Sequence, residues 1–82
     1  MRLIVGSDHF IPNTALCAEI SNYVIDRCND IGICIDDIIF DRYCYITELD
    51  DCDTFSCEVA TMLRDVNNII NDAIQEICWL NE

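Results

Sequence analysis

The residues able to do chemistry are few, and their spacing does not assemble a reaction centre. His9 is the only histidine and follows Asp8 in a connector composition, Gly6-Ser7-Asp8 before it and Pro12 after it. No Gly-x-Ser-x-Gly or comparable nucleophile setting accompanies it, so the expectation is a solvated loop histidine. Seven cysteines are present: Cys17, Cys28, Cys34, Cys44, Cys52, Cys57 and Cys78. Structural zinc sites need closely spaced cysteine pairs. The nearest pair, Cys52 and Cys57, has four residues between its members and no matching second pair, and the iron–sulfur cluster spacing is also missing. Asp51-Cys52-Asp53 followed by Glu58 has the outline of a calcium loop. Its fifth position would be Phe55, its sixth is not glycine, and its glutamate comes too early. The expectation is a protein without catalytic residues, metal or cofactor.

What the sequence does supply is anionic charge. Sixteen acids face four arginines (Arg2, Arg27, Arg42, Arg64) and no lysine, for a net charge of −12. Charge of that size repels itself within the fold, and it exceeds the roughly 2–8 that keeps a small domain in solution. Half of the acids lie in one stretch from Asp36 to Glu58, together with Ile, Phe and Tyr. Phosphate contacts require clustered Lys and Arg, so direct nucleic-acid binding is excluded and anionic membranes are disfavoured. The matching partner is a basic protein surface. The carboxylates expected to meet it are Asp41, Glu48, Asp50, Asp51 and Asp53, with Asp65, Asp72 and Glu76 forming a stripe on the last helix. A helical projection places Trp79 beside that stripe, as an aromatic anchor of the kind that dominates interfaces.

These groups need a scaffold. Eighty-two residues make a single domain, 1–82, which buries only about 60% of its unfolded surface. Leu, Ile, Val and Phe make up about a third of the chain, enough for collapse despite the charge. So small a core also suits a homodimer that shares it. The odd cysteine number and the short N-terminal apolar run, Leu3-Ile4-Val5, predict a reducing, cytoplasmic setting with cysteines acting as small hydrophobes.

Arg2-Leu3-Ile4-Val5 reads as a strand. Leu16, Ile20, Val24, Cys28 and Ile31 recur at helical spacing, predicting a helix over 14–31 capped by Asn13 or Thr14 and ended by Gly32. Residues 33–49 are rich in β-branched and aromatic types. They predict strands over 33–40 and 43–49, paired through a tight turn at Asp41-Arg42 that lacks the Gly or Asn of a primed hairpin, with a bulge at Asp36-Asp37. The alternative is a helix, because Asp37, Asp41, Cys44 and Glu48 also share one helical stripe; the domain would then be an all-α bundle. A last helix starts near 54–56, capped by Asp53, Thr54 or Ser56. It presents Val59, Met62/Leu63, Val66, Ile69/Ile70, Ala73, Ile77 and Leu80 on one face. The order β-α-β-β-α predicts an α+β domain, a three-stranded sheet with two helices on one face.

Likeness to known families bears on function. Ser7, Ser21 and Ser56 lack the Asp-Ser-Leu helix-start setting of acyl carrier proteins, which excludes that class. Tyr43 and Tyr45 among acids follow the strategy of the colicin-nuclease immunity proteins, without their Tyr-Tyr-Pro motif. In size, charge and lack of catalytic motif the chain resembles the small acidic phage proteins that disarm host defences, such as anti-CRISPR proteins and other nucleic-acid mimics. That resemblance implies a non-enzymatic inhibitor in a host cytoplasm, blocking the DNA- or RNA-binding surface of a CRISPR effector, restriction enzyme or similar protein. The alternative expectation is a structural or regulatory interaction protein, a homo- or hetero-oligomer joined through an apolar helix face.

Overall fold

The computed structural model describes residues 1–9, 11, 14–50 and 56–79. Arg2–Val5 forms β1, Cys17–Asp30 forms α1, Asp37–Phe40 forms β2, Glu48–Asp50 forms β3 and Cys57–Ala73 forms α2. A short 3₁₀ turn, Thr14–Leu16, leads into α1, and a π-helical segment, Ile74–Trp79, extends α2. The domain is α+β, as the residue patterns imply, with a mixed sheet in the order β2-β1-β3. β1 lies in the centre, parallel to β2 (Leu3 beside Ile38) and antiparallel to β3 (Leu3 beside Leu49).

Alternation along β1 divides the sheet into two faces. Leu3, Val5 and Leu49 are buried and join Ile20, Val24 and Cys28 of α1 and Val59, Val66, Ile70 and Ala73 of α2 in one core. The other face carries Arg2, Ile4, Asp37, Ile39, Glu48 and Asp50, none of them buried. A charged face on one side and an apolar face on the other is what keeps both helices together on one side of a thin sheet.

α1 ends as its sequence predicts. Gly32 has φ of 86°. Its N–H donates to the Asn29 carbonyl at 3.1 Å, and the Ile33 N–H reaches back to the Cys28 carbonyl at 2.8 Å. This is the Schellman pattern, with Ile33 and Cys28 both buried. At the other end, Leu16 holds the N-cap position without a side-chain cap, so α1 starts later than expected; Asn13 lies outside the described residues. Ser56 precedes α2 in extended conformation, without a side-chain cap bond, and Asp53 and Thr54 lie outside the described residues. Within the π segment the wider turn moves the buried position five residues on from Ala73, to Cys78, leaving Ile77 half-buried.

The predicted hairpin is corrected. β2 and β3 do not pair with each other; both pair with β1, on opposite sides. With no Gly or Asn at 41–42, the chain makes a different turn. Cys44 N–H donates to the Asp41 carbonyl (3.2 Å) and Tyr43 N–H to Asp41 Oδ1 (2.9 Å), an Asx turn. It carries the chain across the end of β1 rather than back along β2. The predicted strand 43–49 is accordingly reduced to Glu48–Asp50. The predicted bulge is corrected too: Asp36 lies ahead of β2, its N–H donating to the Met1 carbonyl (2.8 Å).

The crossing is close. A Cβ on Gly6 would lie 2.7 Å from the Ile46 carbonyl carbon and 2.8 Å from the Cys44 carbonyl oxygen, both backbone atoms. The two glycines are therefore needed for different reasons, and substitution separates them. Gly32→Ala meets no neighbour and is expected to cost about 1 kcal/mol for a Cβ at positive φ. Gly6→Ala must displace the crossing backbone and is expected to cost more, about 1–3 kcal/mol. Urea unfolding measures both; a smaller loss at Gly6 than at Gly32 contradicts the close-approach account.

Candidate functional site: the braced 41–47 loop

The crossing segment is fixed from beneath by backbone and side-chain bonds. Ser7 N–H donates to the Cys44 carbonyl (2.8 Å) and Asp8 N–H to the Tyr45 carbonyl (3.1 Å). Thr47, 2% exposed, sits at the centre of a polar cluster. Its Oγ1 accepts from the Gly6 N–H at 3.0 Å and lies 2.7 Å from Asp8 Oδ1 and 2.8 Å from His9 Nδ1. Its amide also donates to Asp8 Oδ1, at 3.1 Å.

The donor count settles the protons. Thr47 has one hydroxyl hydrogen, and an ionised carboxylate only accepts, so that hydrogen goes to Asp8. His9 Nδ1 must then be the donor to Oγ1, with Asp8 Oδ1 a second acceptor at 3.2 Å. The hydroxyl thus points away from the imidazole, the reverse of what a nucleophile and its general base require. The cluster is a brace. His9 itself is buried, which corrects the expectation of a solvated loop residue: the turn 6–9, closed by His9 N–H to the Gly6 carbonyl (3.2 Å), folds the ring against Thr47. Burial pushes the Asp8 carboxyl up, but the hydrogen bonds from the Thr47 hydroxyl and amide, with the nearby His9, outweigh it and hold Asp8 below its ordinary value.

Above the brace, three large side chains stand in solvent: Tyr43 at 92% exposure, Tyr45 at 80% and Ile46 at 63%. Cys44 turns inward between the tyrosines, its Sγ 3.5 Å from Asp41 Oδ2. That hydrogen bond, then burial, then the charges of Asp41 and Glu48, push the Cys44 thiol up. Asp41 and Glu48 bound this segment in the chain, Glu48 as the first residue of β3. Comparison of the chain with family models, with curated proteins and with solved structures gives no match. The site rests on its own geometry.

The remaining expected carboxylates are dispersed. Asp50 lies on the open sheet face, 3.9 Å from Arg2, which also approaches Asp37 at 3.7 Å. The α-amino group of Met1 pairs with Asp36 at 2.8 Å. Asp65 is half-buried, whereas Asp72 and Glu76 are exposed. These last two stand near Tyr23 of α1, whose ring carries Arg27 5.0 Å from its centroid. Partial burial pushes the Tyr23 hydroxyl up, Arg27 pulls it down, and Glu76, its hydrogen-bond partner, pushes it up again with Asp72. Asp51 and Asp53 lie outside the described residues, as does the side chain of Trp79. Among the described residues no group of His, Cys, Asp and Glu is placed to hold a metal, and no helix is long and apolar enough to cross a membrane.

Tyr43, Tyr45 and Ile46 were not among the contact residues that charge alone selects. The available signal was the run Tyr-Cys-Tyr-Ile-Thr beside a turn with no hairpin chemistry. An alternating strand would have buried one side of it.

Thr47→Val keeps the shape and removes the hydroxyl, leaving the Gly6 N–H, Asp8 and His9 short of a partner. The expected loss is about 1–3 kcal/mol, measured by urea unfolding. Loss below about 0.5 kcal/mol contradicts the brace. Because the folded Asp8 is depressed, the stability it supplies is complete above its unfolded value, close to 3.8. It disappears as pH falls through the lower folded value. Between about pH 5 and pH 2 the native chain should lose more stability than Asp8→Asn; parallel curves contradict this.

Proposed function

We propose that this protein is a non-enzymatic inhibitor that occupies a basic, nucleic-acid-binding surface of another protein. One observation carries the reading: Tyr43, Tyr45 and Ile46 are exposed on a braced loop between Asp41 and Glu48, in a chain of net charge −12 without lysine. Exposed aromatic groups on a fixed backbone are interface anchors. Exposed tyrosines also serve as stacking platforms for bases, but only in a basic groove, and the charge here has the opposite sign. A surface of aromatic rings among carboxylates offers a nucleic-acid-binding groove two things it is built to receive, anions and planar rings. The fit of charge would steer association and make it strongly salt-dependent. Targets of this chemistry include CRISPR effectors, restriction enzymes and other DNA-binding proteins.

The alternative, an oligomeric interaction protein, would not act through the apolar face of α2, because Val59, Val66, Ile70 and Ala73 are in the core. It would use exposed apolar groups instead, Tyr43, Tyr45 and Ile46 of the loop or Ile31 and Ile39 elsewhere. Competition distinguishes the two. Against a target that binds labelled duplex or single-stranded DNA, the inhibitor should displace the nucleic acid. Its own affinity should fall at least about tenfold between roughly 50 and 500 mM salt. Affinity indifferent to salt, or binding that leaves the nucleic acid in place, overturns the proposal.

A further inference from the structure

We infer that the 41–46 loop, not the helical acids, is the anchoring site, and that it takes arginine side chains from its protein partner, their guanidinium groups on the Tyr43 and Tyr45 rings and their N–H groups on Asp41 and Glu48. The inference rests on the function proposed above and names the chemistry of its contact.

Three observations converge on arginine. Each tyrosine ring is exposed, so its face is open to a cation. The loop runs between two carboxylates, Asp41, which accepts from the Tyr43 N–H and the Cys44 thiol, and Glu48, exposed at the start of β3. The protein also holds one tyrosine with an arginine on its ring. On the helix pair, Arg27 lies over the Tyr23 ring, with Glu76 and Asp72 acting on the same hydroxyl. The loop has tyrosines and carboxylates in similar company; the one base within it, Arg42, is exposed and precedes Tyr43. A guanidinium satisfies both neighbours at once, stacking flat on a ring while its edge donates to a carboxylate. An ammonium is a more strongly hydrated point charge and does this less well.

A second copy of the chain is a poorer occupant. Face-to-face contact at this loop would set Asp8, Asp41 and Glu48 against their equivalents in a protein of net charge −12, and like charges across an interface are costly. Beyond Glu48, the open sheet face competes less well for a basic partner, because Arg2 already stands between Asp37 and Asp50 there. The brace completes the site: the side chains stand on backbone held by Gly6, Ser7, Asp8 and Thr47, so little loop ordering remains to be done on binding.

The test uses the full chain and two labelled probes, deca-arginine and deca-lysine, titrated by fluorescence polarisation at matched ionic strength. The native chain should prefer deca-arginine by about two- to fivefold beyond any preference of the Tyr43→Ala/Tyr45→Ala double variant, the fold-change equivalent of about 0.5–1 kcal/mol for an exposed cation–π contact. The double Phe variant should retain the preference, since it keeps the rings. Both loop variants should unfold at the native temperature, because these side chains are exposed. Equal preference in the native chain and the double Ala variant overturns the loop assignment. If binding of both peptides remains salt-dependent in that case, the inhibitor reading stands without it; if salt has no effect on either, that reading falls as well. A dimer in light scattering that Ile46→Ser dissociates would make the loop a self-association surface and also overturns the inference.

Discussion

The passage of the chain over the end of β1 is the constraint on which the rest of this structure depends. β2 and β3 lie on opposite sides of β1, so the segment between them must cross the central strand. It crosses at Gly6, where a Cβ would collide with backbone. Thr47 replaces the sheet partner that the Gly6 N–H would otherwise lack. A buried N–H without a partner costs about 1–3 kcal/mol, a large share of the stability of so small a domain. The crossing therefore tolerates little variation: a glycine below, a hydroxyl above, and a carboxylate to receive the hydroxyl proton. Each also fixes the loop that displays Tyr43, Tyr45 and Ile46.

The distribution of charge follows from the same architecture. With one sheet face given to the core, the carboxylates must share the other face, the loops and the outer sides of the helices. Where two acids meet a base, as Asp37 and Asp50 do at Arg2, the exposed pairs add little stability but blunt the local field. Four arginines cannot do this for sixteen acids. The remaining field is a standing cost to folding. It is offset by a single continuous core in which Leu3, Val66 and Ile70 are fully buried, each contributing about 1.5–3 kcal/mol.

Local chemistry was the legible part of this sequence. Arg2–Val5, the apolar stripe of α1, its stop at Gly32 and the buried face of α2 are written in neighbouring residues, and the α+β class follows from them. The partners of β2 and β3 are not. Hairpin and crossover place the same β-branched residues in the same sort of strand, and only competition for β1 decides between them. Asp41-Arg42, poor in hairpin chemistry, was the one local sign. His9 and Thr47 are separated by 38 positions, so neither announces the other; a lone histidine beside an aspartate looks solvated until the turn at Gly6 folds it inward. The π-helical shift that buries Cys78 in place of Ile77 likewise breaks a regular helical projection beyond Ala73.

Under the proposed function, charge and fixed geometry make different contributions to recognition. A diffuse negative field attracts any basic surface and falls away within about 8–10 Å at physiological salt; it raises the rate of encounter without choosing among basic proteins. Selection requires groups whose contact depends on position. The loop supplies them by holding apolar and aromatic side chains out of the core, at a cost in exposed apolar surface that a freely moving segment could avoid by collapsing onto the domain. The brace prevents that collapse. Its buried hydrogen bonds have no evident catalytic use, since the threonine hydroxyl is committed to Asp8 and the imidazole proton to the threonine. Their effect is to keep Tyr43, Tyr45 and Ile46 exposed and in one arrangement, which is the property an anchoring surface needs and a solvated loop lacks.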